Sequence, residues 1–440
     1  MRPRLAGFRR SRTPTETLAA TALALALALP ALQQIGFIGG GGASRAFASA
    51  PTHTPPPTPV DGTPSPFPTV LHTPHPSTAP PALDAREAIL VDLDTGQVLF
   101  EKRAHRHRAI ASLTKIMTAV AVLERFSPSA NVTVSPNAAS QTGSALGLEA
   151  GESITVGNLL YALMLQSSND AAVALAEAVS GTVDRFVALM NMEARAMGLR
   201  DTRFYSPNGL DDRGYSTAAD MATLTRIAER NPWFADVVAA KTRRIPSPSG
   251  PRRSVQNRNV LLWLYPGATG VKTGFTTPAG HCLVATASRA GNGLVAVVLG
   301  DPDEPFDEGA TLLNFGFDAF VRETLVGAGQ AVGTVSVEGE RLDAVSGATL
   351  DGWVRRDLVG SVRRTLVPDP AVRPPVAAGQ RVGTVVVRVR GRRLGTVPAV
   401  AASPVDVRGE PVRPVVGRQP VDDVAEILSL LVRSVFGSFL

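Results

Sequence analysis

Residues 112–123 have the sequence SLTKIMTAVAVL, in which a serine and a lysine three positions apart open an apolar run. The apolar side chains from Ile116 to Leu123 recur at helical spacing, so a helix is predicted to begin here. Residues three apart lie on the same side of a helical turn, so the hydroxyl of Ser112 and the amine of Lys115 can touch. The pattern predicts a serine with a basic group beside it.

Two further polar motifs follow in order, Ser167-Ser168-Asn169 and Lys272-Thr273-Gly274. The first lies among apolar helical segments between residues 156 and 179, and the second lies at the start of a strand-like run. Each motif is a weak signal by itself, because short polar triplets recur by chance. Their order and context together indicate a serine nucleophile that is activated by lysine.

The lysine content of the chain supports this interpretation. The chain is rich in arginine but has only four lysines, and two of them, Lys115 and Lys272, fall inside the motifs. An arginine stays protonated at any working pH, whereas a desolvated lysine can lose its proton and act as a base. The other two, Lys102 and Lys241, are predicted to lie on the solvated surface.

The chemistry of a serine nucleophile assigns a role to each polar group. Ser112 is predicted to attack a carbonyl carbon after a neutral Lys115 takes its proton. Burial and the second cation, Lys272, are expected to lower the pKa of Lys115, because both disfavour the ammonium form. Ser167 offers a hydroxyl that passes the proton to the leaving amine. The backbone N–H groups of Ser112 and Phe275 are predicted to stabilise the oxyanion, by ~3–4 kcal/mol per donor.

The remaining motif residues are predicted to bind substrate. Asn169 supplies an amide with both donor and acceptor groups, which suits a peptide backbone. Lys272 and Thr273 suit a substrate carboxylate, and Gly274 permits the close approach of an added strand. The substrate is therefore expected to be a peptide with a free carboxylate. No metal and no cofactor is predicted, since the six histidines show no zinc-ligand spacing.

The N-terminal region is predicted to direct export. Residues 1–50 carry arginines followed by an apolar stretch and then Ala48-Ser49-Ala50, which together are typical of a signal peptide. An uncleaved anchor helix is the alternative, but Pro30 and a later glycine run shorten the apolar core below ~20 residues. Residues 51–82, rich in proline and threonine, are predicted to form an extended linker. We expect the mature chain to act at the cell wall or the outer face of the cytoplasmic membrane.

The order of predicted elements indicates an α/β (α+β) catalytic domain in residues 83–324. Strands, helices, strands and a final helix follow one another, which predicts an antiparallel sheet with an inserted helical cluster and with its first and last strands as neighbours. Residues 325–410 are predicted to form a small all-β domain. The sequence Gly329–Val335 is echoed in Gly379–Val385, which predicts two equivalent turn-strand units.

Residues 411–440 are predicted to form a linker and a C-terminal amphipathic helix. Apolar side chains recur at helical spacing within residues 421–440. Packing against a domain and peripheral contact with a membrane are both open on pattern alone. The polar face is poor in lysine and arginine, which weakens the membrane alternative.

Charge and cysteine usage exclude other classes. The formal net charge is +6, but residues 1–50 contain six arginines and one glutamate, so the basic excess belongs mostly to the targeting signal. No basic run interleaved with aromatic residues remains, which excludes nucleic acid as a predicted partner. The single cysteine, Cys282, rules out an intramolecular disulfide and is predicted to be a packed core thiol.

The three motifs, with the stretch from residue 84 to about 320, resemble the serine-type D-alanyl-D-alanine carboxypeptidases, the low-molecular-mass penicillin-binding proteins. The segments Ser206–Asp212 and Ala279–Val284 also look like segments of that family. The resemblance implies a serine β-lactamase/transpeptidase-like fold and an acyl-enzyme on Ser112. It further implies hydrolysis of the D-Ala-D-Ala end of peptidoglycan stem peptides, with β-lactams as inhibitors that acylate the same serine.

Two departures from the family pattern and two alternatives remain. Ser168 stands where the family often has glycine. Some relatives carry an arginine after the Lys-Thr-Gly strand, where our alignment places Gly293, with Arg289 as the nearest substitute. A β-lactamase is one alternative, although no Glu-x-x-Leu-Asn segment lies between Asn169 and Lys272. A sensor that binds β-lactams without turnover is the other.

Overall fold

The computed structural model describes residues 78–405. The predicted signal peptide, almost all of the predicted linker after it and the predicted C-terminal amphipathic helix lie outside the described residues. Within residues 78–405, no helix is both long and apolar enough to cross a bilayer.

The first part of the described chain mixes strands and helices. In chain order the elements are β1 (Glu87–Asp92), β2 (Val98–Lys102), a 3-10 turn (Ala111–Thr114), α1 (Lys115–Leu123), β3 (Asn131–Thr133), α2 (Pro136–Ala139), β4 (Ser153–Thr155), α3 (Val156–Tyr161), a π-helical turn (Ala162–Gln166), α4 (Asn169–Ser180), α5 (Val183–Ala196), α6 (Ala218–Ala228), α7 (Pro232–Ala239), β5 (Thr242–Ile245), β6 (Arg253–Gln256), α8 (Leu261–Leu264), β7 (Ala268–Thr276), β8 (Gly280–Arg289), β9 (Asn292–Asp301) and α9 (Phe306–Ala319).

The second part of the described chain is almost entirely strand. Its elements are β10 (Phe320–Val326), β11 (Ala331–Val337), β12 (Glu340–Ser346), β13 (Leu350–Arg355), a 3-10 turn (Arg356–Ser361), β14 (Val362–Pro368), β15 (Arg381–Val389) and β16 (Arg392–Ala401). The predicted change from a mixed region to an all-β region is therefore confirmed.

A five-stranded antiparallel sheet with the order β2-β1-β9-β8-β7 forms the centre of the first part. The first strand, β1, pairs with β9, which confirms that the first and last strands of this region are neighbours. Successive side chains of a strand point to opposite faces, and in β1 Ile89 and Val91 join one apolar core while Ala88 and Leu90 join another. Helices cover both faces of the sheet, so its inner strands are apolar on both sides.

Helices of the inserted cluster begin at side chains that cap their free N–H groups. The hydroxyl of Thr182 accepts a hydrogen bond from Arg185 N at the start of α5, and Thr217 does the same for Asp220 N at the start of α6. Each cap satisfies a backbone donor that has no partner within the helix. Short polar residues thus define where these helices start.

The second sheet has the order β11-β12-β16-β15-β14. The repeated sequence forms two equivalent turns, since Gly329 and Gly379 both have a positive φ, +75° and +78°. In each turn a glutamine accepts a backbone N–H three residues before it, and the distance is 3.0 Å for both Gln330 and Gln380. A strand follows each turn, as the echo in the sequence predicts.

The two parts of the chain meet at strand β10. This strand pairs with β13 rather than with the central sheet, and Trp353 of β13 donates its indole N–H to Asp92 Oδ2 of β1 at 2.7 Å. The boundary predicted between residues 324 and 325 therefore falls inside a strand, and the all-β region begins at Phe320.

Candidate active site

The 3-10 turn before α1 carries the predicted nucleophile. Lys115 Nζ lies 2.9 Å from Ser112 Oγ, so the hydroxyl and the amine touch as the spacing predicts. Ala111, just before the serine, has φ +47°. A positive φ is uncommon for a residue with a side chain and tends to occur where the surrounding structure holds a functional turn in place.

Lys115 is completely buried and has two further partners. Its Nζ donates to Asn169 Oδ1 at 3.0 Å and to the backbone carbonyl of Asn208 at 2.7 Å. Burial, then the charges of Lys272 and Arg258, lower the pKa of Lys115 well below its ordinary value. A neutral amine has two N–H donors, so these two acceptors leave its lone pair free to face Ser112.

The backbone around Asn208 packs directly under the nucleophile turn. Gly209 has φ +80°, and a Cβ at this position would lie 1.9 Å from the carbonyl oxygen of Ala111. The hydroxyl of Thr118 donates to the carbonyl of Pro207 at 2.6 Å and fixes the same loop to α1. The segment Ser206–Asp212 thus orients the carbonyl that binds Lys115.

The second motif lies at the junction of the π-helical turn and α4. Ser167 is in the left-handed conformation with φ +67°, and its side chain lines the cavity beside Ser112. Asn169 reaches both sides of the site, because its Oδ1 accepts from Lys115 and its Nδ2 donates to Thr142 O at 2.8 Å.

Asp170 holds the loop that borders this part of the cavity. Its buried carboxylate accepts backbone N–H groups of Leu146, Gly147 and Leu148 at 3.0, 2.9 and 3.1 Å. Arg253 binds the same loop, donating to the carbonyl of Gly147 at 2.7 Å. A fixed loop here keeps Asn169 in place against the cavity.

The third motif lies in the middle of β7, four residues after the strand begins, and not at its start as predicted. Lys272 is buried behind the strand, and its Nζ donates to the carbonyl of Thr273 at 2.8 Å. Burial and the charge of Arg258 lower the pKa of Lys272 to about 7. Gly274 packs against the nucleophile turn, where a Cβ would lie 3.1 Å from Ser112 N. A side chain at this position would press against the nucleophile turn, which would have to shift by a few tenths of an ångström.

These elements enclose one cavity of about 1100 Å³. Its lining includes Ser112, Ser167, Asn169, Thr273 and Gly274, with Phe275 at the rim. Phe275 is 58% exposed, and its ring centroid lies 4.4 Å from that of His281, with the two ring planes tilted by 36°. All predicted site residues are thus at the cavity or, for Lys115 and Lys272, directly behind its wall.

Arg258, a further cavity residue, was missed by the sequence analysis. It is exposed between two buried asparagines, Asn257 and Asn259. Asn257 Nδ2 donates to Ala240 O at 3.0 Å, and Asn259 Nδ2 donates to Gly270 O at 2.7 Å, two residues before Lys272. The signal in the sequence was the Asn-Arg-Asn triplet, which has no periodicity and lies far along the chain from the lysines that it affects.

Arg289 lies elsewhere and does not assist Lys272. Its guanidinium packs over the rings of Tyr265 and Phe317 at 5.1 and 4.6 Å and lies 3.5 Å from Asp318. These contacts place it beside helix α9, on the other face of the sheet. The predicted substitute for a carboxylate-binding arginine was therefore wrong, because proximity in sequence does not bring the end of β8 to the cavity.

Within residues 78–405, no group of three or more histidine, cysteine, aspartate or glutamate side chains is placed to hold a metal ion. Cys282 is fully buried, as predicted. Burial raises the pKa of its thiol to about 12. It is therefore a packed thiol and not a second nucleophile.

Ser168 stands where the family often has glycine, and the effect of its side chain on stability can be tested. Its hydroxyl is buried without a hydrogen-bond partner, which costs roughly 1–3 kcal/mol of desolvation. We expect Ser168→Ala to leave the unfolding midpoint unchanged or to raise it by ~2 °C in differential scanning fluorimetry. Ser135→Ala is the control, because Ser135 caps α2 by accepting Ala138 N at 2.9 Å, and its loss should lower the midpoint. A fall for Ser168→Ala would contradict an unsatisfied hydroxyl.

A family model described as D-alanyl-D-alanine carboxypeptidase matches residues 75–303 of the chain. The D-alanyl-D-alanine carboxypeptidase DacF of Bacillus subtilis is 32% identical over 332 residues, which span 73% of this chain and 85% of that protein. The chain belongs to the D-alanyl-D-alanine carboxypeptidase family. The carboxypeptidase DacB2 of Mycobacterium tuberculosis is 35% identical over 242 residues, which span 53% of this chain and 82% of the relative.

Solved structures agree with this family assignment. A D-alanyl-D-alanine carboxypeptidase DacD from Francisella tularensis matches with a TM-score of 0.65 at 29% identity, over 76% of this chain and 95% of the other. Penicillin-binding protein 5 from Haemophilus influenzae matches with a TM-score of 0.63 at 29% identity, over 73% of this chain and 98% of the other. The predicted catalytic fold followed by an all-β region is confirmed, while the predicted terminal helix lies outside the described residues. The protein is a serine-type carboxypeptidase that hydrolyses D-Ala-D-Ala ends in peptidoglycan metabolism, as predicted over the β-lactamase alternative.

Proposed function

We propose that this carboxypeptidase releases D-Ala from peptidoglycan stem peptides through an ester on Ser112, and that it does so after export, outside the cytoplasmic membrane. The observation that carries the proposal is the 2.9 Å contact between Ser112 Oγ and a buried Lys115. A buried lysine of lowered pKa can be neutral when the reaction starts, and only then can it take the serine proton.

In the acylation step Lys115 accepts the proton of Ser112 as Oγ attacks the carbonyl carbon of the penultimate D-Ala. The new C–O bond places negative charge on the carbonyl oxygen, and the N–H groups of Ser112 and Phe275 are the proposed donors to it. The proton then passes from Lys115 through the hydroxyl of Ser167 to the leaving nitrogen. The C–N bond breaks, D-Ala leaves as a neutral amine, and the rest of the peptide stays on Ser112 as an ester.

In the second step water replaces the amine. Lys115, again neutral, accepts a proton from water as the hydroxide attacks the ester carbon, and the same proton returns to Ser112 Oγ when the C–O bond breaks. The shortened peptide leaves with a free carboxylate. Each turnover thus restores both residues and consumes one water molecule.

We propose that the terminal carboxylate of the substrate binds between Thr273, Lys272 and Arg258. Lys272 is buried, Arg258 faces the cavity, and the two are close enough for the charge of Arg258 to lower the pKa of Lys272. Asn169 and the strand around Gly274 are proposed to hold the peptide backbone. β-Lactams carry a carboxylate next to a reactive carbonyl, so they are expected to occupy the same site and to acylate Ser112.

The functional test is D-Ala release by residues 51–440, the chain after the predicted cleavage. A diacetyl-Lys-D-Ala-D-Ala peptide is expected to yield many equivalents of D-Ala per enzyme. Binding of one equivalent of penicillin per enzyme molecule, without repeated release of D-Ala, would instead favour the sensor alternative. The predicted peripheral membrane contact of residues 421–440 falls outside the described residues, and the predicted site residues do not depend on it.

Arg258 and Asn259 are expected to affect the same property, the affinity for the substrate carboxylate. Loss of a charged hydrogen bond is worth ~1.5–3 kcal/mol, so Arg258→Gln is expected to lower kcat/KM for D-Ala release by roughly 10- to 100-fold. Asn259→Ala removes the bond to Gly270 and should lower it by about 10-fold. Because Asn259 positions Arg258, the double variant should be little worse than Arg258→Gln alone.

The control for the Arg258 and Asn259 variants is Asn314→Ala. This change removes a buried amide beside Tyr265, and Asn314 lies on the face of the sheet away from the cavity. It should leave kcat/KM within about twofold of wild type once thermal unfolding shows that it is folded. Full additivity of the Arg258 and Asn259 variants would contradict positioning. A normal kcat/KM for Arg258→Gln alone would contradict the carboxylate role itself.

The pKa of Lys272 predicts how activity depends on pH. Burial lowers its pKa to about 7, so the free enzyme loses this positive charge as the pH rises above 7. Carboxylate binding should then weaken, and kcat/KM should decline between pH 7 and pH 9. Lys272→Arg keeps its charge throughout this range, so the variant should show no alkaline decline.

The decline of kcat/KM on the acid side of the same profile is expected to follow the protonation of Lys115. Its lowered pKa means that the amine becomes protonated, and the serine loses its base, only as the pH falls below that lowered value. Lys241→Arg, at an exposed site, is the control and should keep the wild-type profile. A wild-type profile that is flat from pH 7 to pH 9 would contradict the role of Lys272.

A further inference from the structure

Arginines lie side by side on three adjacent strands of the second sheet. Arg363 of β14 is opposite Arg388 of β15, and Arg388 is opposite Arg393 of β16. Directly opposite residues point to the same face, with Cβ atoms roughly 5 Å apart. Arg390 lies in the turn that joins β15 to β16, and Arg392 is the first residue of β16. We call these five exposed residues the arginine patch.

No carboxylate of residues 78–405 forms an ion pair with the patch. Arg393 donates to the hydroxyl of Thr396 at 3.0 Å, and Arg363 approaches only backbone carbonyls. Asp357 is near enough to Arg390 to interact with its charge. However, both oxygens of Asp357 are already bound by Arg355, at 2.6 and 2.8 Å. The positive charge of the patch is thus unneutralised within the described part of the chain.

Protection of a sheet edge does not account for this arrangement. Charged residues on an edge strand prevent pairing with other chains, and β14 is such an edge. Arg388, however, lies on β15, which pairs with β14 on one side and with β16 on the other. Like charges directly opposite one another destabilise a sheet. An anionic partner on this face would remove that repulsion.

We propose that the arginine patch binds phosphate groups of an anionic lipid surface. Guanidinium groups match phosphate in geometry and bind it through paired hydrogen bonds. Charge complementarity is the first argument for this partner, because Arg363, Arg388 and Arg393 of the patch lie on one face of the sheet without an ion pair in the described part of the chain.

The C-terminal sequence supplies the second argument for a lipid surface. Residues 421–440 have an amphipathic pattern whose polar face is poor in lysine and arginine, and membrane-surface helices usually carry basic residues there. Stable membrane association generally needs two signals, and the patch provides the missing charge. Residues 406–420 can span roughly 50 Å when extended, more than the roughly 33 Å length of β16. Both signals can therefore reach one surface, and the proposal is independent of the catalytic roles above.

The test is co-sedimentation of residues 51–440 with vesicles of phosphatidylcholine alone or of phosphatidylcholine with phosphatidylglycerol. Wild type should bind the vesicles that contain phosphatidylglycerol more tightly, and added salt should weaken binding. An arginine near an anionic surface contributes about fivefold in affinity, so the double variant Arg388→Gln/Arg393→Gln should bind about 30-fold more weakly.

The matched control is Arg341→Gln/Arg381→Gln, at the opposite end of the same sheet. It removes the same charge, and Arg381 bonds a threonine hydroxyl at 3.0 Å just as Arg393 does. Control binding should stay within about twofold of wild type, and D-Ala release should be unchanged in both variants, which shows that they are folded.

Several results would overturn the proposal. Equal losses of vesicle affinity in the two double variants would show that only the net charge of the protein matters. Undiminished binding of Arg388→Gln/Arg393→Gln, or equal binding to both kinds of vesicle, would remove the patch as a lipid site. Binding to inorganic polyphosphate without binding to vesicles would assign the patch to a soluble polyanion instead.

Discussion

Replacement of Lys115 by arginine is expected to lower the rate of acylation by benzylpenicillin by roughly 10²- to 10⁴-fold. Arginine keeps the positive charge and can donate hydrogen bonds, but it does not lose its proton at any working pH. Proton removal by a positioned base contributes roughly 10²- to 10⁴-fold. In this site Lys115 is buried and lies 2.9 Å from Ser112, and it is the proposed base. The measurement is the second-order rate of adduct formation.

Arginine is larger than lysine, so a second variant separates chemistry from misfolding. Lys115→Ala leaves space for a small added amine. Ethylamine is expected to restore part of the acylation rate in this variant, whereas guanidine is not, because only the amine can accept a proton. Lys241→Arg should acylate at the wild-type rate. Acylation of Lys115→Arg within about tenfold of wild type would show that another group removes the serine proton.

Gly209→Ala is expected to reduce both acylation and D-Ala release by at least about 10²-fold. The added Cβ would lie 1.9 Å from the carbonyl oxygen of Ala111, so either the Asn208 loop or the nucleophile turn must shift. Both carry partners of Lys115, and displacement of reacting groups by about 1 Å can cost about 10²-fold in rate. The measurements are the acylation rate and kcat/KM.

Gly198→Ala is a matched control for the backbone strain. Gly198 has φ +78°, close to the +80° of Gly209, but a Cβ there would meet no atom within 4 Å. Both variants should lose similar stability from the left-handed conformation, roughly 1–2 kcal/mol. Only Gly209→Ala should lose activity. Equal activity losses would mean that strain, rather than contact with the nucleophile turn, explains the effect.

The sequence predicted the parts of the site that depend on local spacing. Ser112 and Lys115 meet because they are one turn apart, and the strands around Lys272 were recognisable as apolar runs between turn residues. Strong periodicity and short-range geometry decide such contacts. The pairing of β1 with β9 followed from the order of the elements alone.

Contacts that depend on tertiary packing were less accessible. The carbonyl of Asn208 binds Lys115 only because the loop folds under the nucleophile turn, and nothing in its spacing indicates this. Arg258 reaches both lysines through space, whereas Arg289, which is closer in sequence to the third motif, points to the opposite face of the sheet. Ser112 and Lys115 are one helical turn apart in the sequence, and no such short spacing links Asn208 or Arg258 to the lysines that they approach.

Intact-mass spectrometry of residues 51–440 after exposure to benzylpenicillin tests the central claim most directly, with the modified residue located by peptide mapping. The account predicts one penicilloyl adduct on Ser112, its absence in Ser112→Ala, and loss of D-Ala release in the same variant. An adduct on another residue, or a Ser112→Ala variant that still forms an adduct and releases D-Ala, would contradict the assignment of Ser112 as the nucleophile.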